Sequence, residues 1–157
     1  MKSFIVLIIY FFYLIEVGSY KKNRIGEQNL AGVWKVSCED GSGFMRYKDK
    51  NNIILEINSN QIYVLVKADY TVQKDTLSGM LYLIEPDDLG AGGMKLKWGN
   101  YSKKIPIAEI KMFNTKNIEL RWLGFYNDNN KKREWVNNID WLLSGNKNNP
   151  ICLQKCL

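Results

Sequence analysis

Apolar and polar residues alternate in short runs along most of the chain from Leu30 onward. The most regular run covers residues 94–98 (MKLKW), and residues 118–122 (IELRW) repeat its pattern. Side chains of a β-strand point to opposite faces of the sheet in turn, so each run predicts a strand with one buried face and one solvated face. The run over residues 61–68 places four apolar side chains on one face: Ile62, Val64, Val66 and Ala68.

Five further runs, over residues 34–38, 53–57, 80–84, 108–112 and 151–153, bring the expected number of strands to about eight. A set of this size predicts an all-β fold, either a single small antiparallel barrel or a sandwich, because both arrangements protect the sheet edges. Helical periodicity is weak. The best candidate for one short helix covers residues 134–143, and a bulged strand is the alternative there.

The beginning of the chain has the three parts of a secretory signal peptide. Lys2 supplies a positive charge, residues 4–15 are apolar without interruption, and residues 17–19 (VGS) offer small residues at the two positions that a signal peptidase reads. The apolar run is shorter than the roughly 20 residues that a membrane-spanning helix needs. We therefore expect a signal peptide over residues 1–19, a flexible polar arm over 20–29 and one soluble β domain over 30–157. The product would be periplasmic or secreted, with no stable membrane span.

Three cysteines lie in the expected mature chain: Cys38, Cys152 and Cys156. An oxidising compartment favours a disulfide, and we expect it between Cys38 and Cys156, with Cys152 as the alternative partner. Such a bridge would close nearly the whole domain into one loop, which the chain-entropy model values at about 4–5 kcal/mol. Because the cysteine spacing matches no zinc motif and the chain has no His, no metal site is predicted.

The formal net charge of +6 favours an anionic partner. An exported protein is not expected to meet nucleic acid, so a protein partner or an acidic surface is the more natural expectation. The absence of His removes the most common general base from the chain. The sequence therefore predicts a protein that is not an enzyme and that carries no cofactor.

The first candidate binding segment covers residues 85–93 (EPDDLGAGG), where acidic residues precede a glycine-rich stretch. Its spacing fits neither a calcium-binding EF-hand nor a phosphate-binding loop. We nevertheless expect a long functional loop here, because loops carry function more often than the scaffold that holds them. The residues expected to contribute are Asp87, Asp88, Gly90, Gly92 and Gly93.

The second candidate is a hairpin tip over residues 124–135, in which aromatic residues adjoin a basic triplet. Mixed aromatic and basic surfaces often form the energetic centre of a protein interface. The residues expected to contribute are Phe125, Tyr126, Lys131, Lys132 and Arg133.

Residues 29–36 (NLAGVWKV) resemble the opening of the calycin superfamily, which includes the lipocalins and the fatty-acid-binding proteins. In that superfamily a Gly-x-Trp motif begins the first barrel strand, and Gly32 and Trp34 occupy its two positions. The resemblance implies a barrel whose closed end is plugged by Trp34, and a small apolar ligand. A late arginine packs on the tryptophan in the family. Arg121 is the candidate for it here, but the alternation places Arg121 on the solvated face.

A second resemblance is to small periplasmic inhibitors of lysozyme, which are β-barrels with a Cys-x-Asp-Gly-like start and a terminal cysteine. Residues 38–41 (CEDG) and Cys156 match that description. The positive net charge is the wrong sign for binding a basic lysozyme.

Two functions are therefore expected, in order of preference. The first is an exported, non-enzymatic protein of the bacterial envelope that binds or inhibits a protein partner, in the manner of an inhibitor or immunity protein. The second is a lipocalin-like carrier of a small apolar ligand. An enzyme using Asp87 or Asp88 is a distant third.

Overall fold

The computed structural model describes residues 30–39, 43–49, 51–58, 62–73, 75–136 and 150–156. The signal peptide and the polar arm predicted over residues 1–29 lie outside these ranges. Within them the chain forms ten strands, one helical turn (α1, Ala91–Met94) and one 3-10 turn (Trp98–Asn100). The strands are β1 (Val33–Lys35), β2 (Phe44–Tyr47), β3 (Asn52–Asn58), β4 (Ile62–Gln73), β5 (Thr76–Leu89), β6 (Ala108–Met112), β7 (Asn117–Trp122), β8 (Phe125–Asn127), β9 (Lys132–Glu134) and β10 (Ile151–Cys156).

Eight of these strands form a closed antiparallel barrel, which confirms the predicted fold class and selects the barrel over the sandwich. Each strand from β1 to β6 pairs with the strand that follows it in the chain, and β10 closes the barrel between β7 and β1. Trp34 of β1 is in register with Met45 on one side and Lys155 on the other. Strands β8 and β9 form a separate hairpin.

Because successive barrel strands run in opposite directions, their connections alternate between the two ends. We call the end with the β2–β3, β4–β5 and β6–β7 turns the hairpin end; β1 begins there and β10 ends there. The opposite end, with the longer β1–β2, β5–β6 and β7–β10 connections, is called the loop end. No helix in the described part of the chain has both the length and the apolar character that crossing a membrane requires.

The barrel interior is filled from the inward faces of the strands. On β4, Ile62, Val64, Val66 and Ala68 are buried while Lys67 is exposed, as the alternation predicted. The inward residues of β6 are buried in the same way. Buried apolar side chains form one cluster that extends from Leu30 and Trp34 to Phe125. Full burial of each large apolar side chain stabilises the fold by about 1.5–3 kcal/mol.

The strand predicted over residues 94–98 is wrong. Met94 ends α1 and its side chain is 68% exposed, while Trp98 begins the 3-10 turn. The indole N–H of Trp98 donates to the Gly93 carbonyl (2.9 Å), and its ring meets Phe125 edge-on at 5.4 Å. Of the alternate apolar side chains, Leu96 and Trp98 are partly buried against the core at the loop end of the barrel, outside any sheet.

The helix predicted from residue 134 does not begin there. Glu134 ends strand β9, and Trp135 has a φ of 59°, in the left-handed region that interrupts a right-handed helix. Residues 137–143 of that prediction lie outside the described residues.

Candidate functional site

Gly32 and Trp34 lie near the hairpin end of the barrel. Gly32 has a φ of 124°, a conformation that favours glycine, and its carbonyl accepts a hydrogen bond from the Tyr47 amide (3.1 Å). Trp34 is fully buried, and its indole N–H donates to the Leu30 carbonyl (2.7 Å). The spacing in Gly-x-Trp therefore has a local cause: the glycine admits the turn that begins β1, and the tryptophan enters the core two residues later.

A cation does lie over the Trp34 ring, but Lys155 supplies it. The Lys155 ammonium is 5.4 Å from the ring centroid, and Lys155 is the register partner of Trp34 on β10. Arg121 has its side chain 63% exposed and pairs with Glu109 at 3.3 Å on the outer surface. The alternation had placed Arg121 on that solvated face.

The predicted disulfide is confirmed between Cys38 and Cys156. The two Cα atoms are 5.6 Å apart and the residues are 118 positions apart in the sequence. The bridge ties the β1–β2 connection to the last residue of β10. Cys152 is an exposed free thiol. Residues 40 and 41, which belong to the lysozyme-inhibitor resemblance, lie outside the described residues.

The loop predicted for Asp87 and Asp88 is wrong. Both residues lie in strand β5, where Asp88 is in register with Tyr63. Two register shifts between β4 and β5 near this point allow the long strand pair to continue past Pro86, which has no backbone N–H. Gly90 follows the strand, and Gly92 and Gly93 belong to α1. No three acidic or cysteine side chains within the described ranges come together in a way that could hold a metal ion.

Phe125 of the predicted hairpin interface is fully buried, so its ring is not presented to a partner. It stacks on Tyr101 with ring centroids 5.1 Å apart and meets Trp122 edge-on at 5.3 Å. Such aromatic pairs add about 0.5–1.5 kcal/mol beyond the burial of their area. This aromatic cluster anchors the β8–β9 hairpin to the loop end of the barrel.

Arg133 also serves the fold. Its guanidinium donates to the carbonyls of Pro106 and Gly124, at 2.9 Å each, and so joins the hairpin to the β5–β6 connection. Tyr126 is half-buried, and its carbonyl accepts a hydrogen bond from the Ser102 amide. Of the hairpin residues predicted for an interface, Lys131 and Lys132 are the exposed ones.

The carboxylate of Glu134 completes this attachment. It accepts hydrogen bonds from the Tyr101 hydroxyl (3.0 Å) and from the side-chain amides of Asn127 (2.9 Å) and Asn130 (2.8 Å). These bonds, the one from Asn130 above all, lower the pKa of Glu134. Burial, followed by the bond to Glu134, raises the pKa of Tyr101 to about 12.

A groove of about 540 Å³ lies on the outer surface at β4 and β5, and we call it the lysine groove. Lys67 on β4 is the register partner of Tyr82 on β5, and both side chains point outward. The groove is lined by Lys67, Asp69, Tyr82, Leu83, Ile84, Lys103 and Lys104.

Two backbone hydrogen bonds bring Lys103 and Lys104 to this groove. The Ser102 amide donates to the Tyr126 carbonyl (2.8 Å), and the Ile107 amide donates to the Leu81 carbonyl (2.7 Å). The lysine pair between these anchors is exposed beside β5. Lys67 therefore lies on one side of β5, and the lysine pair lies on the other.

Charge is unbalanced in the lysine groove, where three ammonium groups face the single carboxylate of Asp69. None of the three lysines forms an ion pair with any residue the structure describes. Sequence reasoning missed this site because Lys67 is distant in the chain from Lys103 and Lys104. The only signal that pointed to it was the positive net charge.

The described residues thus form an eight-stranded antiparallel barrel with a disulfide, a buried apolar core and a basic groove on its outer face. Comparisons with protein-family models, with curated proteins and with solved structures found no match to this chain.

Proposed function

We propose that this chain is an exported, non-enzymatic binding protein of the bacterial envelope. It acts on a protein partner through the outer surface of its barrel, in the manner of an inhibitor or immunity protein. The observation that carries the proposal is the lysine groove, where three lysines that form no ion pair within the described ranges adjoin apolar side chains.

The composition of the barrel interior supports an outer binding surface. An eight-stranded barrel is just wide enough for its own side chains or for one small ligand. Here the inward residues include Trp34, Met45, Ile53 and Leu120, all fully buried within one continuous apolar cluster. Side chains of this size occupy the space that a carrier would keep for its ligand.

The disulfide supports export, because such bonds persist in oxidising compartments and are rare in the cytosol. A bacterial source rests on the Asn- and Lys-rich composition. The chain has no His, which is the side chain most often used for acid–base catalysis near neutral pH. A binding role does not require one.

Site-specific photo-crosslinking tests the proposal. A photoreactive residue placed at Lys104, in the lysine groove, is compared with one placed at Lys132, on the hairpin tip. In an envelope extract of the source cells we expect position 104 to capture one protein, and an excess of unlabelled wild-type protein should abolish that capture. Equal capture from both positions, or none from position 104, would contradict the proposal.

The carrier of a small apolar ligand remains the second candidate. The meandering eight-stranded topology and the buried Trp34 after Gly32, with Lys155 over its ring, favour it. A carrier must bind its ligand inside the barrel. The location of the bound ligand therefore distinguishes this second function from the first.

A further inference from the structure

We infer that the lysine groove receives an extended acidic segment of the partner protein, in which carboxylates flank an apolar side chain. This inference rests on the proposed function, since it names the chemistry of the partner at the same surface. The carboxylates would meet Lys67 on one side and Lys103 and Lys104 on the other. The apolar side chain would lie against Tyr82 and Ile84 between them.

The arrangement of the lysines supports an inserted segment. Lys67 and the Lys103–Lys104 pair approach Tyr82 from opposite sides of β5, and their ammonium groups outnumber the carboxylate of Asp69 by three to one. A concave site lined by one sign of charge concentrates the field and raises the rate of association with the opposite charge. The apolar floor adds a contact that an anion alone would not use.

Strand pairing differs between the two strands of the groove. Lys67 of β4 is paired with Asn52 of β3 and with Tyr82 of β5, whereas the pairing of β5 with β6 ends at Leu81. Beyond Leu81 the exposed Lys103–Lys104 pair lies beside β5 on the side that β6 no longer covers. The lysine side chains carry the charge that selects an acidic sequence.

A protein segment fits the groove better than an anionic membrane does. Binding to a lipid surface uses apolar side chains that enter the headgroup region beside the basic ones. The exposed large apolar residues of the described chain, which include Val72, Met94 and Phe113, do not line the groove. The apolar residues of the groove, Tyr82, Leu83 and Ile84, are instead buried or half-buried beside the exposed lysines.

Peptide titration with matched variants tests the inference. The probe is a labelled peptide in which glutamates flank a leucine, and its control has glutamine in place of each glutamate. Fluorescence polarisation is measured with the disulfide-bonded protein, the groove variant K67E/K103E/K104E and the equally charged control K95E/K131E/K132E. All six lysines are exposed or line the outer groove, so circular dichroism should show both variants folded.

We expect the wild-type protein and the control variant to bind the glutamate peptide alike, and the groove variant to lose about tenfold or more in affinity. The glutamine peptide should bind weakly to all three proteins. Added salt should weaken the binding of the glutamate peptide only. Equal binding of the glutamate peptide to both variants would overturn the inference. So would groove-dependent binding to phosphatidylcholine–phosphatidylglycerol vesicles in the absence of peptide binding.

Failure of the inference is distinguishable from failure of the proposed function. If position 104 crosslinks a protein while the glutamate peptide does not bind, the groove recognises a partner of other chemistry and the inference alone is wrong. If the peptide binds in the groove while position 104 crosslinks no protein, the proposed function is wrong.

Discussion

The hydroxyl of Tyr47 lies 2.6 Å from the hydroxyl of Tyr70, joining β2 to β4 across β3 at the hairpin end of the barrel. Burial of the phenol raises the pKa of Tyr47 far above its ordinary value. The Tyr70 ring also covers Gly79, its register partner on β5, so closely that a Cβ there would lie 2.8 Å from the ring. The missing side chain at Gly79 thus makes room for the tyrosine pair.

Replacing Gly79 with Ala should therefore destabilise the protein. The added Cβ would also lie 3.2 Å from Ile110, so Tyr70 must move and its hydrogen bond to Tyr47 must lengthen or break. We expect a loss of about 1–3 kcal/mol in the free energy of unfolding, measured by urea titration. Gly99→Ala is the matched control, because a Cβ at Gly99 meets nothing within 4 Å. Equal stability of the two variants would show that the Tyr70 contact does not constrain Gly79.

The Cys38–Cys156 bridge should contribute a large share of the stability. Cys38→Ser removes a constraint on a loop of 118 residues in the unfolded chain, and we expect a loss of about 2–5 kcal/mol. Thermal unfolding in oxidising buffer measures the change. Cys152→Ser, at the exposed free thiol, should stay within about 0.5 kcal/mol of the wild type. If Cys38→Ser unfolds at the same temperature as Cys152→Ser, the bridge does not stabilise the fold.

The hydrogen bonds to Glu134 should make stability depend on pH in the acidic range. Its pKa is lower in the folded state than the ordinary value of 4.5, so its contribution is complete above about pH 4.5 and is lost as the pH falls through the folded pKa. Glu134→Gln should therefore be less stable than the wild type near neutral pH, and the difference should shrink below pH 4.5. Denaturant unfolding across this range measures it. Glu109→Gln, at an exposed ion pair with Arg121, is the control. A difference between Glu134→Gln and wild type that does not change with pH would be the contrary result.

The barrel strands were predictable where alternation coincided with burial inside the sheet. On β4 and β6 the predicted inward residues are the buried ones, and strict period-two patterning leaves few other arrangements. The same pattern over residues 94–98 predicted a strand wrongly. There Trp98 finds its apolar contacts on Tyr101 and Phe125, which belong to a connection and to a separate hairpin. Apolar periodicity indicates which side chains are buried. It does not indicate whether a sheet or another part of the fold buries them.

Most of the candidate site could not be predicted from the sequence, for a related reason. The alternation of β4 placed Lys67 on an outward face, but the two hydrogen bonds that bring Lys103 and Lys104 beside β5 arise from tertiary structure. Phe125 and Arg133 were predicted to meet a partner because aromatic and basic residues mark interfaces, yet both anchor the hairpin. The disulfide was predictable because it depended on the compartment and on the positions of three cysteines.

The most direct test of the proposed function asks whether the barrel binds an apolar ligand inside or acts through its outer surface. The measurement is a titration of the disulfide-bonded protein with an environment-sensitive fluorescent fatty acid, followed by native mass spectrometry. A filled interior around Trp34 and Leu120 predicts no saturable one-to-one binding and no retained ligand. Saturable one-to-one binding that persists in the K67E/K103E/K104E variant would show that the barrel is a carrier.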